Sequence, residues 1–296
     1  MNNAIALPAA AAMSTTAPPR AVARARSSRT VLPGFGLSLG FTLTYLSLLV
    51  LIPLVALFTR AAGLGVEGIW HELASARVLH ALGLSFGGAF AAATINAVFG
   101  TLIAWTFVRY NFPGKVWFHA MIDLPFALPT AVAGIALTSL YSEHGWLGAP
   151  LAQLGIKVAY TPLGVIVAMV FISLPFVVRT LEPVLEEAEK QLEEVAATLG
   201  ATRRQTIAHI ILPTVLPALL TGTALAFARA VGEYGSIIFI AGNLQNVSEI
   251  APLLIMIRLD EFNYAGATAL ACAMLVMSFV LLLAINLLQA WNRRRG

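Results

Sequence analysis

Residues 179–213 read RTLEPVLEEAEKQLEEVAATLGATRRQTIAHIILP. A charge-free window, 158–178, ends where this stretch begins, and another, 205–228, opens inside it. Apolar Val184, Ala188, Leu192, Val195 and Leu199 are spaced 4, 4, 3 and 4 apart, one stripe of a helix. Glu186, Glu187, Lys190, Glu193 and Glu194 occupy the remaining surface, with Glu186 and Lys190 at a favourable i,i+4 spacing. Gly200 suits the left-handed residue just past a helix end. Thr202 can cap a second helix that runs through Ile207, Ile210 and Ile211 to Pro213. The stretch therefore predicts a helix–Gly turn–helix elbow between two apolar segments. An amphipathic helix lying on lipid is the competing reading. Such helices favour Lys and Arg on the polar face, whereas this one presents mostly Glu toward an anionic leaflet. A docking element for a protein partner fits the charge better.

Outward from the elbow, the chain is strongly apolar. Of its 296 residues, 59% are hydrophobic and 11% charged, against roughly 25% charged in a soluble domain. Mean hydropathy is +0.84. These values exclude an ordinary soluble enzyme, a disordered chain and a DNA-binding domain, and they point to a polytopic membrane protein. Windows without Asp, Glu, Lys or Arg fall at 30–59, 78–108, 124–142, 158–178, 205–228 and 262–292. A helix needs about 20 apolar residues to cross about 30 Å of hydrocarbon, so six spans are expected. A shorter window, 234–248, suits a re-entrant or interfacial segment. The window 1–19 is an Ala/Pro-rich tail rather than a span or a signal peptide.

The basic residues set the orientation. The tail, the second and fourth loops and the C-terminus carry thirteen Lys/Arg, while the opposite side carries four: Arg60, Arg77, Lys157 and Arg258. The positive-inside rule then places both termini in the cytoplasm, consistent with an even number of spans. Small residues recur four apart at Gly36/Gly40, Gly83/Gly87 and Gly222/Ala226 and would let helices approach closely.

Glu194-Val195-Ala196, then Gly200, Ile210 and Leu212-Pro213, resembles the EAA signature of ABC-transporter permeases of the type-1, binding-protein-dependent importer class. Val195 stands where that family usually has Ala. The stretches 124–141, 159–187 and 227–243 extend the resemblance over residues 36–292, to the T-subunit family of sulfate/thiosulfate permeases. The resemblance implies an all-α, MetI-like bundle of six transmembrane helices with both termini cytoplasmic. It implies a permease domain over 37–292 with its core at about 79–290 and a coupling loop at 179–213, while composition and charge give an Ala/Pro/Arg-rich cytoplasmic tail over 1–36 and a basic end at 293–296. By the same resemblance Glu194 meets a basic side chain of an ATPase, Gly200 makes the turn and Leu212-Pro213 begins the fifth span. The implied partners are a homologous second permease subunit, two ATP-binding subunits, an extracytoplasmic sulfate-binding protein and the inner membrane. No nucleic acid and no bound cofactor are expected. Molybdate or tungstate is the alternative cargo, and a six-span receptor or enzyme the distant alternative.

No GxxxxGK[ST] occurs in the sequence, so ATP hydrolysis is expected on another polypeptide. HExxH is also absent, and a single Cys, Cys272, leaves no thiolate cluster. The five His at 71, 80, 119, 144 and 209 are scattered and read as interfacial or loop residues. Arg229 is the one charge clearly placed within a span, four residues before Glu233. A charge there is costly, about 2.5–3.5 kcal/mol at a span's centre. Either Arg229 lines an anion path with Glu233 nearby, or the two neutralise each other on one helix face. Asp123 is expected to pair with Arg109 or Lys115.

Overall fold

The computed structural model describes residues 35–188 and 190–293, with side chains except at 190–192, 288 and 290–293. Residues 1–34 of the expected tail, 294–296 of the basic end and the side chains of Lys190 and Leu192 lie outside the described residues. The chain divides into two units, Met1–Ile52 and Pro53–Gly296. In the first, α1 (Phe35–Leu46) runs into a π-helical turn at Ser47–Leu51, and none of these residues is buried. Then come α2 (Ile52–Ala62), α3 (Gly65–Leu73), α4 (Ala76–Arg109), α5 (Lys115–Ala127), α6 (Thr130–Tyr141) and α7 (Gly148–Gln153). These are followed by α8 (Pro162–Glu187), α9 (Lys190–Thr198), α10 (Arg203–Thr206), α11 (Leu212–Val231), α12 (Ile237–Ile240), α13 (Ala251–Asp260) and α14 (Tyr264–Arg293). No strand occurs among the described residues.

Among the described residues five helices are long and apolar enough to cross a membrane: Phe35–Ala62, Ala76–Arg109, Pro162–Glu187, Arg203–Val231 and Tyr264–Leu287. The sixth expected span, 124–142, is not one straight helix. It falls across the end of α5 and the whole of α6, two helices bent by 116° that qualify only as a pair. Pro129 is the cause. Its ring disfavours helical backbone at the preceding residue, and Leu128 is extended at φ −83°, ψ 135°. A window that counts only charge cannot register this break.

The second unit is built on α4, α8 and α11. Between apolar helices in lipid, close packing substitutes for a hydrophobic drive, and small residues permit it. Val177 of α8 is gripped from both sides. A Cβ on Gly100 of α4 would lie 2.9 Å from its Cγ1, and one on Gly222 of α11 would lie 3.1 Å from its Cα. Of the expected small-residue pairs, Gly222/Ala226 is used, and Ala226 is fully buried. Gly36, Gly40, Gly83 and Gly87 have no atom within 4 Å of an added Cβ. A buried polar tie adds specificity: the Asn96 amide donates to Val170 O at 3.0 Å and to Ser173 Oγ at 2.9 Å.

The window 234–248 is neither a span nor a strip on the surface. It is a loop with one helical turn, α12, whose Ile237 and Ile240 are fully buried among α4, α8 and α13 residues. Ser85 of α4 accepts the Ala251 N–H at 2.8 Å where α13 begins. Arg77 of α4 grips Glu249 in a fork, Nε to Oε2 at 2.8 Å and Nη2 to Oε1 at 2.7 Å, while Arg258 Nη1 of α13 lies 3.1 Å from Glu72 of α3.

Candidate functional site: the elbow and the charged helix ends

α8 does not stop at the charged residues but runs on to Glu187, so Arg179–Glu187 belongs to the span helix rather than to a loop. Ala188 then leaves the helix at φ −62°, ψ 112°. The stripe from Val184 to Leu199 is therefore interrupted, and α9 presents a different face inward. Ala196 is buried, whereas Val195 is 54% and Leu199 82% exposed. The turn lets Glu193, expected on the surface, reach back to α4. Its Oε1 accepts from Arg109 Nη2 at 2.5 Å. Neighbouring Glu194 faces outward and is exposed.

Gly200 ends α9 with φ +81°, a conformation that costs an L-residue with a Cβ roughly 1–2 kcal/mol. The Ala201 N–H donates to Ala196 O and the Gly200 N–H to Ala197 O, both at 3.0 Å. This 6→1 and 5→2 pair is a Schellman motif and satisfies two carbonyls at the helix end. Across the turn, Gln205 Oε1 accepts from the Thr202 N–H at 2.8 Å, one half of a capping box.

The helix that follows is continuous from Arg203 to Val231. Leu212-Pro213 lies inside this helix. The residues Ile207–Ile211 form a π turn just before Pro213, and the Leu212 N–H reaches Ile207 O. Proline has no N–H to donate and crowds the carbonyl four residues back, and the wider turn absorbs both. Ile210 is half-buried in that turn and Leu212 is exposed. Trp105, Glu193, Ala197, Ala201, Arg203, Thr206, Ile207 and Ile211 enclose a cavity of about 220 Å³ beneath the elbow.

A second charged cluster joins α5 to α8. The Arg179 guanidinium pairs with Asp123 through Nε to Oδ1 at 2.8 Å and through Nη2 to Oδ2, and its Nη1 donates to Glu182 at 2.7 Å. His119 Nδ1 lies 3.4 Å from Glu182 Oε1, and its ring sits 4.2 Å from that of Phe107. Asp123 thus takes Arg179 as partner, not Arg109 or Lys115. Sequence reading missed both ties because the partners are 84 and 56 residues apart. The available signal was that Arg109, Asp123, Arg179 and Glu193 all fall at the same end of successive apolar windows.

At the other end of α11, Arg229 Nη1 donates to Glu233 Oε2 at 2.5 Å. Glu233 Oε1 accepts from the Ser236 N–H and hydroxyl, each at 2.9 Å. The carboxylate is buried and fully engaged, while about a third of the Arg229 side chain is exposed. This loop meets the break between α5 and α6: a Cβ on Gly134 would lie 2.4 Å from Ser236 O, and one on Gly235 would lie 2.2 Å from Thr130 Oγ1. Two interrupted segments thus touch beside the Arg229–Glu233 pair. No group of three or more metal-ligating side chains occurs among the described residues.

Comparisons with known proteins bear on the same residues. Residues 96–295, which contain the whole elbow, match the family described as binding-protein-dependent transport system inner membrane component. The sulfate transport system permease protein CysT of Synechocystis sp. is 50% identical over 253 residues, 86% of this chain and 88% of that protein. The protein of the same name from Escherichia coli (strain K12) is 49% identical over 269 residues, 91% of this chain and 97% of its own length. Among solved structures, a chain of the bacterial alginate ABC transporter in complex with an alginate pentasaccharide-bound periplasmic protein shares the fold. It has a TM-score of 0.70 at 17% identity and covers 85% of this chain and 92% of its own.

Proposed function

The chain belongs to the binding-protein-dependent inner-membrane transport components, and on that premise we propose that it is a permease subunit of an ATP-driven importer for sulfate and thiosulfate. The observation that carries the cargo is near-50% identity to sulfate permeases over most of both chains. The chain is a transport subunit, not an enzyme. It pairs with a homologous second permease to enclose the path, binds two ATPase subunits and receives the anion from an extracytoplasmic binding protein. Both termini lie in the cytoplasm of a cell with an inner membrane.

The elbow is the ATPase contact. Glu194, Val195 and Leu199 face outward on α9, the Gly200 turn fixes the angle to α10, and Ala196 seats α9 against the chain. The half-buried Ile210 and the π turn before Pro213 carry that angle without a break into the helix Arg203–Val231. ATP binding moves the elbow, and the helices swing between inward- and outward-facing arrangements, two states biased by different partners. Arg229 and Glu233 flank the path: Glu233 is consumed in holding Arg229, whose exposed part offers positive charge to a divalent anion.

Labelled sulfate uptake into proteoliposomes holding the assembled complex tests this. ATP-dependent uptake that thiosulfate inhibits and molybdate does not is the expected result. Uptake abolished by equimolar molybdate would transfer the cargo to that anion. No ATP-dependent uptake of either anion would overturn the reading.

A further inference from the structure

α9 carries two adjacent glutamates with opposite fates. Glu194 is exposed, and Glu193 turns inward to Arg109, the last residue of α4. The Arg109 side chain is 91% buried, being only 9% exposed, against 30% for that of Glu193. Its guanidinium carbon lies 5.2 Å from the centre of the Trp105 ring, within the range of a cation–π contact. Its Nε is buried without a hydrogen-bond partner. The guanidinium is thus held on two sides, by a ring one turn back on its own helix and by a carboxylate from the elbow.

From this geometry we infer that Arg109 is a positioning residue for coupling: the Arg109–Glu193 clasp fastens the elbow to α4, so that displacement of α9 pulls α4 as well as the directly connected helix Arg203–Val231. The inference rests on the importer reading given above. The covalent connection serves only the helix that follows the elbow. α9 is separated from α8 by the unwound Ala188, so the chain path on that side is a joint, not a rod. α4 is joined to the elbow only through the long intervening chain, and the clasp supplies a direct, non-covalent tie. A desolvated, planar cation suits the task, because the ring stacking and the single Nη2 bond fix its direction as well as its distance.

The test uses the full chain in its complex. Arg109→Gln and Glu193→Gln are expected to retain the ATPase while sulfate uptake per ATP hydrolysed falls about tenfold, inside the roughly 5- to 150-fold span typical of coupling between sites. A charge-swapped double variant, Arg109→Glu with Glu193→Arg, is expected to regain most of the loss. Arg109→Lys should fall between, since it keeps the charge but loses the planar stacking on Trp105. Amide hydrogen exchange over 190–200 in the detergent-purified chain should speed up in both single variants and slow again in the double variant. This readout needs no substrate, so it reports on the clasp even if the wild-type complex fails to take up sulfate, which would count against the importer reading instead. Wild-type uptake per ATP in the single variants would overturn the inference. So would loss of the ATPase together with the elbow's protection, without recovery in the double variant, because that marks a purely structural contact.

Discussion

The elbow and the loop that follows α11 are both irregular stretches outside the long helices, and they treat their side chains in opposite ways. On α9, Val195 and Leu199 are left facing out, and the charges divide between Arg109 and the surface. Between Gly232 and Ile250 the apolar side chains Ile237, Ile240 and Ile250 are fully buried, and so are the carboxylates of Glu233 and Glu249, each with an arginine and each almost fully enclosed. The second region buries these groups within the chain, although Phe239, Leu244 and Val247 stay exposed there. The first leaves an apolar ridge and an outward glutamate uncovered, beside a turn whose geometry is tightly specified. Several of the loop's polar groups are satisfied internally: Glu233 accepts from the Ser236 N–H and hydroxyl, and the Ser248 hydroxyl donates to Ala241 O at 2.5 Å. The elbow leaves Glu194, Val195 and Leu199 exposed.

The largest expected effect falls on the enclosed region. Glu249→Leu strips the fork from Arg77 and leaves a half-buried cation without its partner, a class of change that costs about 3–5 kcal/mol. We expect a steep fall in the thermal midpoint of the purified chain and poor recovery from membranes. The same substitution at Glu194, on the exposed side, should leave the stability within about 0.5 kcal/mol of wild type and the midpoint nearly unchanged, as surface changes do. Equal effects at the two glutamates would erase the contrast.

Next in size is Gly200→Val. It forces a β-branched residue to φ +81° where an added Cβ meets no neighbouring atom, so the penalty is conformational and not steric crowding. Lost uptake with a normal amount of chain in the membrane is expected. Uptake at the wild-type rate would mean that the turn angle carries nothing. Gly100→Leu offers a companion case in which crowding is the cause, since Val177 stands 2.9 Å from the added carbon. Overpacking of this kind costs about 1–3 kcal/mol, read as a lower thermal midpoint.

Much of this was open to reading from sequence, and the failures have two causes. Charge-free windows located five helices, because membrane length and apolar content are local properties. They missed the bend at Pro129, a stereochemical property of one residue. Gly200 was readable as a turn because its requirement is local as well. The stripe from Val184 to Leu199 was misleading. Its spacing is helical, but Ala188 leaves the helix, and what then decides the inward face is the reach from Glu193 to Arg109, 84 residues away. The Arg77–Glu249 fork spans 172 residues and was invisible for the same reason.

The smallest effect belongs to a pair at the mouth of another cavity, about 360 Å³, that includes Tyr141, His144 and Tyr160 in its lining. Lys157 lies 2.7 Å from Glu143 and holds its carboxyl below the ordinary range, and both groups are fully exposed. The pair's contribution is present above the ordinary carboxylate pKa and is lost as pH falls through the lowered one. Lys157→Ala should therefore leave the thermal midpoint nearly unchanged at neutral pH, with any difference from wild type vanishing in acid, by scanning fluorimetry across pH.

The most direct measurement is co-purification in mild detergent of the wild-type chain and of Glu194→Lys with the co-expressed ATPase and second permease. The account predicts that both partners accompany the wild type, and that Glu194→Lys keeps the second permease while losing the ATPase. ATPase retained undiminished by Glu194→Lys would contradict it, and so would a wild-type chain that purifies alone.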